Sequence, residues 1–208
     1  MSVILGVKTS NVIILAGDKR GSDKQGNILR NDLVKVDAIN NHLGIASAGS
    51  KQIGDAILMS INKLDNKSNL RVENVIDIIR KLYDSFIEKE LKYLMSQPAS
   101  FLIGGLKRND EIGLFIIVNS QGDLDVREVE IPLMIVPPDD VDIDTASKIF
   151  ATNFNINPER FIEKTIADIS DISKLVSSDG DKWIYDSRSN LSKSEKILGI
   201  NNEHNFRV

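Results

Sequence analysis

The chain of 208 residues contains no cysteine. That excludes disulfides, thiolate metal sites and thiol catalysis, and it fits a cytoplasmic protein. Its two histidines, His42 and His204, lie far apart in the sequence. They are a poor basis for a metal site or a histidine-centred triad, so neither metal nor cofactor is expected. No apolar run approaches the roughly 18 residues that a membrane-spanning helix needs, so no membrane partner is expected. Charge of one sign is not in excess either. With 26 Lys and Arg against 30 Asp and Glu the net charge is −4, which leaves no basic footprint for nucleic acid. Internal repeats and linker-like tracts are absent, so the length suits one domain. We place that domain at residues 1–186, followed by a polar, weakly ordered tail at 187–208.

What is present is an ordinary soluble composition, 41% hydrophobic and 27% charged. The first twenty residues, MSVILGVKTSNVIILAGDKR, hold two short apolar runs, Val3–Val7 and Val12–Ala16, around the polar turn Lys8-Thr9-Ser10-Asn11. Runs this short and this rich in β-branched residues predict two strands. No charged segment precedes them and no small-residue cleavage site follows, so they do not read as a signal peptide. Lys19–Asn31, with Gly21 and Gly26, reads as a loop or hairpin. Asp32–Asp37 and His42–Ala48 read as strands, with Lys35 between Val34 and Val36 and facing away from both. Apolar spacing then predicts helices from Gly54 to Leu64 and from Val72 to Met95.

After Pro98 the pattern returns to strands, at Ser100–Leu106 and Gly113–Val118, with Asn119-Ser120-Gln121-Gly122 as a turn. Val126–Val136 reads as one extended segment. Helices follow at 145–154 and 158–176, and Trp183–Tyr185 reads as a strand. The run Asp139–Asp144 holds four aspartates but lacks the glycine and distal glutamate of a calcium loop. It reads instead as a loop favoured by the dipole of the helix that follows. Composition and periodicity together give α+β and one domain.

The opening stretch resembles the start of the proteasome β-subunits and of the bacterial HslV peptidase, which are N-terminal-nucleophile (Ntn) hydrolases. Laid on that pattern without a gap, Ser2 falls on the nucleophile and Ala16-Gly17-Asp18 on the end of the second strand. Val34-Lys35-Val36 resembles the strand that bears the family's lysine, with one residue inserted before it. Ala46-Ser47-Ala48-Gly49 resembles the segment whose glycine N–H forms the oxyanion hole. The likeness covers residues 2–60 in motif and extends in element order to about residue 130.

The resemblance implies a four-layer αββα sandwich and a proteasome-like peptidase or amide hydrolase in a homo-oligomeric ring. It implies a peptide or protein substrate and an ATPase or second ring as partner. After removal of Met1, Ser2 would be the nucleophile and its own α-amine the base, an amine whose ordinary pKa of about 7.7–8.0 suits the task. Lys35 would lower that amine's pKa, Asp18 would orient Lys35, and the Gly49 N–H would hold the oxyanion. Each residue has a plainer reading. Ser2 is also a small residue after an initiator methionine, Asp18 a strand-end turn residue, Lys35 a solvent-facing lysine and Gly49 a turn before a helix. Lys24, in the preceding loop, is a rival lysine. The family's Gly-Ser-Gly segment has no counterpart, since Pro137-Pro138 and the acidic run take its place. Its Asp-Ser-x-Ser-Gly segment is matched only loosely by Ser177-Ser178-Asp179-Gly180, with Ser178 as the aligned serine. A non-catalytic subunit of the same fold, and a ligase or transpeptidase using the same nucleophile, therefore remain alternatives.

Overall fold

A computed structural model describes residues 2–23 and 25–199. Met1, Lys24 and His204 lie outside the described residues. The chain opens with strands β1 (Ile4–Lys8), β2 (Val12–Asp18), the short pair β3 (Gly21–Ser22) and β4 (Ile28–Arg30), β5 (Val36–Asn40) and β6 (Leu43–Gly49). Helices α1 (Lys51–Asn62), α2 (Val72–Glu88) and the single turn α3 (Lys92–Met95) follow. The chain then runs through β7 (Ala99–Leu106), β8 (Ile112–Ser120), β9 (Asp123–Glu128) and β10 (Leu133–Val136). It ends with α4 (Ile143–Ile156), α5 (Phe161–Ile172), β11 (Gly180–Asp186) and β12 (Leu191–Ile197).

Ten of these strands form two five-stranded sheets, ordered β10-β1-β2-β11-β12 and β5-β6-β7-β8-β9. Every pairing within them is antiparallel. The central strands bury both faces, so their sequences are continuous apolar runs, and the period of two still sorts the side chains. Ile4 points into the layer between the sheets, while Val3, Leu5 and Val7 pack under α4 and α5. In β6, Leu43 and Ile45 face α1 and α2 while Ala46 and Ala48 face the other sheet. Three apolar layers separate four layers of backbone, giving the expected αββα sandwich.

The two sheets approach closely where glycine faces a large side chain. A Cβ on Gly44 would sit 2.6 Å from the Trp183 ring, and one on Gly104 would sit 2.5 Å from Ile13. Several boundaries differ from the sequence reading. The long second helix stops at Glu88, where Glu90 takes a positive φ of 53°. Val126–Val136 is not one strand: β9 is the edge of one sheet and β10 the edge of the other. Residues 187–197 are not a tail, because β12 pairs with β11 from Gly180↔Ile197 to Asp186↔Leu191. The acidic run behaves as a helix entry. Asp142 caps α4 by accepting from the Thr145 N–H at 2.8 Å.

Candidate active site

The β1–β2 hairpin brings Ser2 beside Asp18. Antiparallel register sets Ile4 opposite Gly17, and the chain continues that pairing past the strand end. The Val3 N–H donates to Asp18 Oδ1 at 3.1 Å, and the Asp18 N–H donates to the Val3 carbonyl at 3.3 Å. The residue following Ser2 is thus locked to Asp18 through both its backbone groups.

Asp18 is fully buried and receives four donors. Its Oδ1 accepts from the Val3 N–H and from Lys35 Nζ at 2.6 Å. Its Oδ2 accepts from the Arg20 N–H at 2.8 Å and the Ser177 N–H at 3.2 Å. Burial pushes the Asp18 carboxyl up, and the Lys35 ammonium beside it draws it back. Burial pushes Lys35 down, Asp18 opposes the fall, and the Arg20 guanidinium adds to it. With a donor on each oxygen from two directions the carboxyl has no room for a proton, so the pair is carboxylate and ammonium.

Lys35 lies just before β5 rather than inside a strand, and its carbonyl accepts the Ser47 N–H of β6 at 2.8 Å. The expected alternation fails there. Val34 is 63% exposed and Val36 only 8%, whereas Lys35 turns inward at 5%. The lysine stem passes over Gly17, where a Cβ would sit 3.4 Å from that of Lys35. Its ammonium reaches Asp18 and the Arg20 carbonyl. The solvent-facing reading of Lys35 is therefore overturned.

Gly49 ends β6 with φ +93°, and a Cβ there would fall 2.2 Å from the Pro98 carbonyl oxygen. No other residue fits this conformation and contact together. Ser2, Lys35 and Gly49 all line one open groove of about 980 Å³, whose walls include the β3–β4 hairpin and α1. Asp18 stands behind it, against Lys35.

The sequence reading missed two contributors. Ser177, not Ser178, reaches the site, and it does so through its backbone N–H on Asp18. Its hydroxyl accepts from the Lys19 N–H and donates to the Asp179 carbonyl, both at 3.0 Å. No side-chain motif signals a role played by a peptide N–H. Arg20 supplies an N–H to Asp18 and a carbonyl to Lys35, while its guanidinium donates to Asn31 Oδ1 and the Lys174 carbonyl. Among the described residues no group of three or more His, Cys, Asp or Glu is placed to hold a metal ion. No helix among them is long and apolar enough to cross a membrane.

A model of the proteasome subunit family matches residues 2–122, more than half of the chain. The fold matches the crystal structure of eukaryotic HslV from Trypanosoma brucei with a TM-score of 0.64. That match covers 88% of this chain and 99% of the HslV chain at 16% identity, a likeness of fold. No curated protein matches by sequence.

Proposed function

This chain belongs to the proteasome subunit family, and on that premise we propose that it is a cytoplasmic, ring-forming peptidase or amide hydrolase with Ser2 as its N-terminal nucleophile. The observation that carries the reading is the buried Asp18–Lys35 pair, at 2.6 Å, behind the groove that Ser2 lines. A buried ion pair held by four further backbone groups is an expensive device for stability alone, and perturbed lysines of this kind gather at reactive centres.

Once Met1 is removed, the free α-amine takes the proton of Ser2 Oγ as the oxygen attacks the substrate carbonyl carbon. The amine then passes that proton to the departing amine as the C–N bond breaks, leaving an ester on Ser2. Water, deprotonated by the same amine, hydrolyses the ester and restores the hydroxyl. The positive charge of Lys35, which lines the groove with Ser2, favours the amine's neutral, basic form and the developing oxygen charge. The Gly49 N–H stabilises the tetrahedral oxyanion. Copies of the chain close into a ring around these sites, with an ATPase or a second ring as partner and a peptide or protein as substrate.

The rival reading, a non-catalytic subunit, is favoured by one feature: Pro137, Pro138 and the following aspartates occupy the place of the family's serine-bearing segment. Ser2→Ala decides between them. The proposal expects hydrolysis of fluorogenic peptides by the wild-type chain and none by the variant, with assembly and melting temperature nearly unchanged. Hydrolysis that survives in the variant overturns the assignment of the nucleophile.

A further inference from the structure

Gln97 sits between α3 and β7 and is only 8% exposed, an unusual depth for a carboxamide. The hydrogen bonds at this residue run through its main chain. Its N–H donates to the Leu94 carbonyl at 3.1 Å, and its carbonyl accepts from Asn119 Nδ2 at 2.7 Å. The same Nδ2 also holds the Met95 carbonyl at 2.9 Å, and Asn119 Oδ1 takes the Gly122 N–H at 2.8 Å. On the other side the Pro98 carbonyl accepts the Ser50 N–H at 2.8 Å. The backbone of Gln97 is therefore fixed on both flanks.

The side-chain amide, by contrast, has no hydrogen-bond partner among the described residues. Nor is it sealed away, since the sealed unpartnered atoms are Ser22 Oγ, Tyr83 OH and Trp183 Nε1. Gln97 is one of the residues that line the groove, together with Ser2 and Gly49. A largely buried amide without a partner, on a fixed backbone beside a cavity, is completed by a ligand that can both donate to it and accept from it. The adjoining wall carries no net charge, because Lys51 and Asp55 on α1 pair at 2.6 Å. The charged groups that line the groove balance, with Arg30, Lys35, Lys51 and Lys174 against Asp23, Asp55, Asp139 and Asp140, so no excess of one sign there selects a charged ligand group.

We propose that Gln97 determines specificity in the groove, its amide receiving a carboxamide side chain (Gln or Asn) of a bound peptide. The inference rests on reading the groove as a peptide site, but not on catalysis there. A site built to hydrogen-bond a polar group rejects the apolar analogue strongly, because its own amide is then left unpaired.

The test uses full-length protein carrying Ser2→Ala and measures anisotropy with fluorescein-labelled hexapeptides. These are identical except for Gln, norleucine, Glu or Lys placed at each position in turn. At one position the Gln peptide is expected to bind about tenfold or more tighter than the other three. Gln97→Leu, or Gln97→Met if the leucine variant does not fold, should reduce that preference to below about twofold while the norleucine peptide binds as well as before. Three results overturn the proposal: no preference for Gln, a preference that survives the substitution, or an equal loss for every peptide, which would mark a backbone contact. Absence of any binding overturns it as well. Loss of the proposed catalytic activity is read separately, on the wild-type chain, and leaves this measurement unaffected.

Discussion

Asp18→Asn is the substitution whose cost follows most directly from the geometry. The asparagine retains one oxygen, which can still accept from the Val3 N–H and Lys35 Nζ. Its amide group then points donors at the Arg20 and Ser177 N–H groups, which had bonded to Oδ2 at 2.8 and 3.2 Å. Lys35, 5% exposed, loses its counter-charge. Breaking a buried pair from one side costs about 3–5 kcal/mol, the larger part of it the stranded charge. For a chain of this size one kcal/mol is worth about 2–4 °C, so the melting temperature should fall by about 6–20 °C. Urea unfolding at pH 7 and fixed protein concentration reads the same loss without heating. The double variant Asp18→Asn with Lys35→Met removes the stranded charge, and it should be more stable than Asp18→Asn alone by about 1–3 kcal/mol. A single-variant cost below about 1 kcal/mol, or strictly additive losses, would refute the ring of donors as the element that fixes the strand end.

Two further perturbations probe other parts of the account. Gly49→Ala places a Cβ 2.2 Å from the Pro98 carbonyl at φ +93°; it should cost about 1–3 kcal/mol in urea unfolding and abolish hydrolysis through displacement of the β6 end, and a stable, active variant would contradict both roles. At the far end of the sheets, burial and then the Arg71 guanidinium hold the His42 imidazole below its ordinary pKa, while the Leu106 N–H donates to the His42 carbonyl at 3.0 Å. A base whose pKa is depressed by folding contributes stability above its unfolded value of about 6.5, and that contribution is lost as pH falls from there toward the folded value. Exchange protection of the Leu106 amide, corrected for intrinsic rate, should therefore drop below about pH 6.5 in the wild type and stay flat in His42→Gln; parallel profiles would exclude the histidine.

The elements most legible in the sequence were those whose two faces are both buried. β1, β2 and β6 are short apolar runs, and nothing else accounts for them. Edge strands were harder, because they bury little. β12, LSKSEKI, buries only Ile197 and is held by backbone pairing and by Lys182, which bridges Glu195 and Glu163. Its composition therefore reads as a polar tail. β9 and β10 ran together in the sequence because the change of sheet falls at residues 129–132, where no glycine marks the break. The inward turn of Lys35 was hidden because alternation holds only inside a strand, and residues 32–35 precede one. Asp18, Lys35 and Gly49 were singled out by resemblance of motif. Ser177, Arg20 and Gln97 were not, since the first two act through main-chain groups and the third through the absence of a partner.

The central claim is a competent N-terminal nucleophile, and the most direct test is intact mass before and after exposure to a peptide epoxyketone. That reagent closes a ring only with a free α-amine and the adjacent hydroxyl together. The account predicts a chain lighter by one methionine that gains a single inhibitor mass, with no gain in Ser2→Ala. A full-length mass and no adduct would contradict it, and would leave the fold to a non-catalytic subunit.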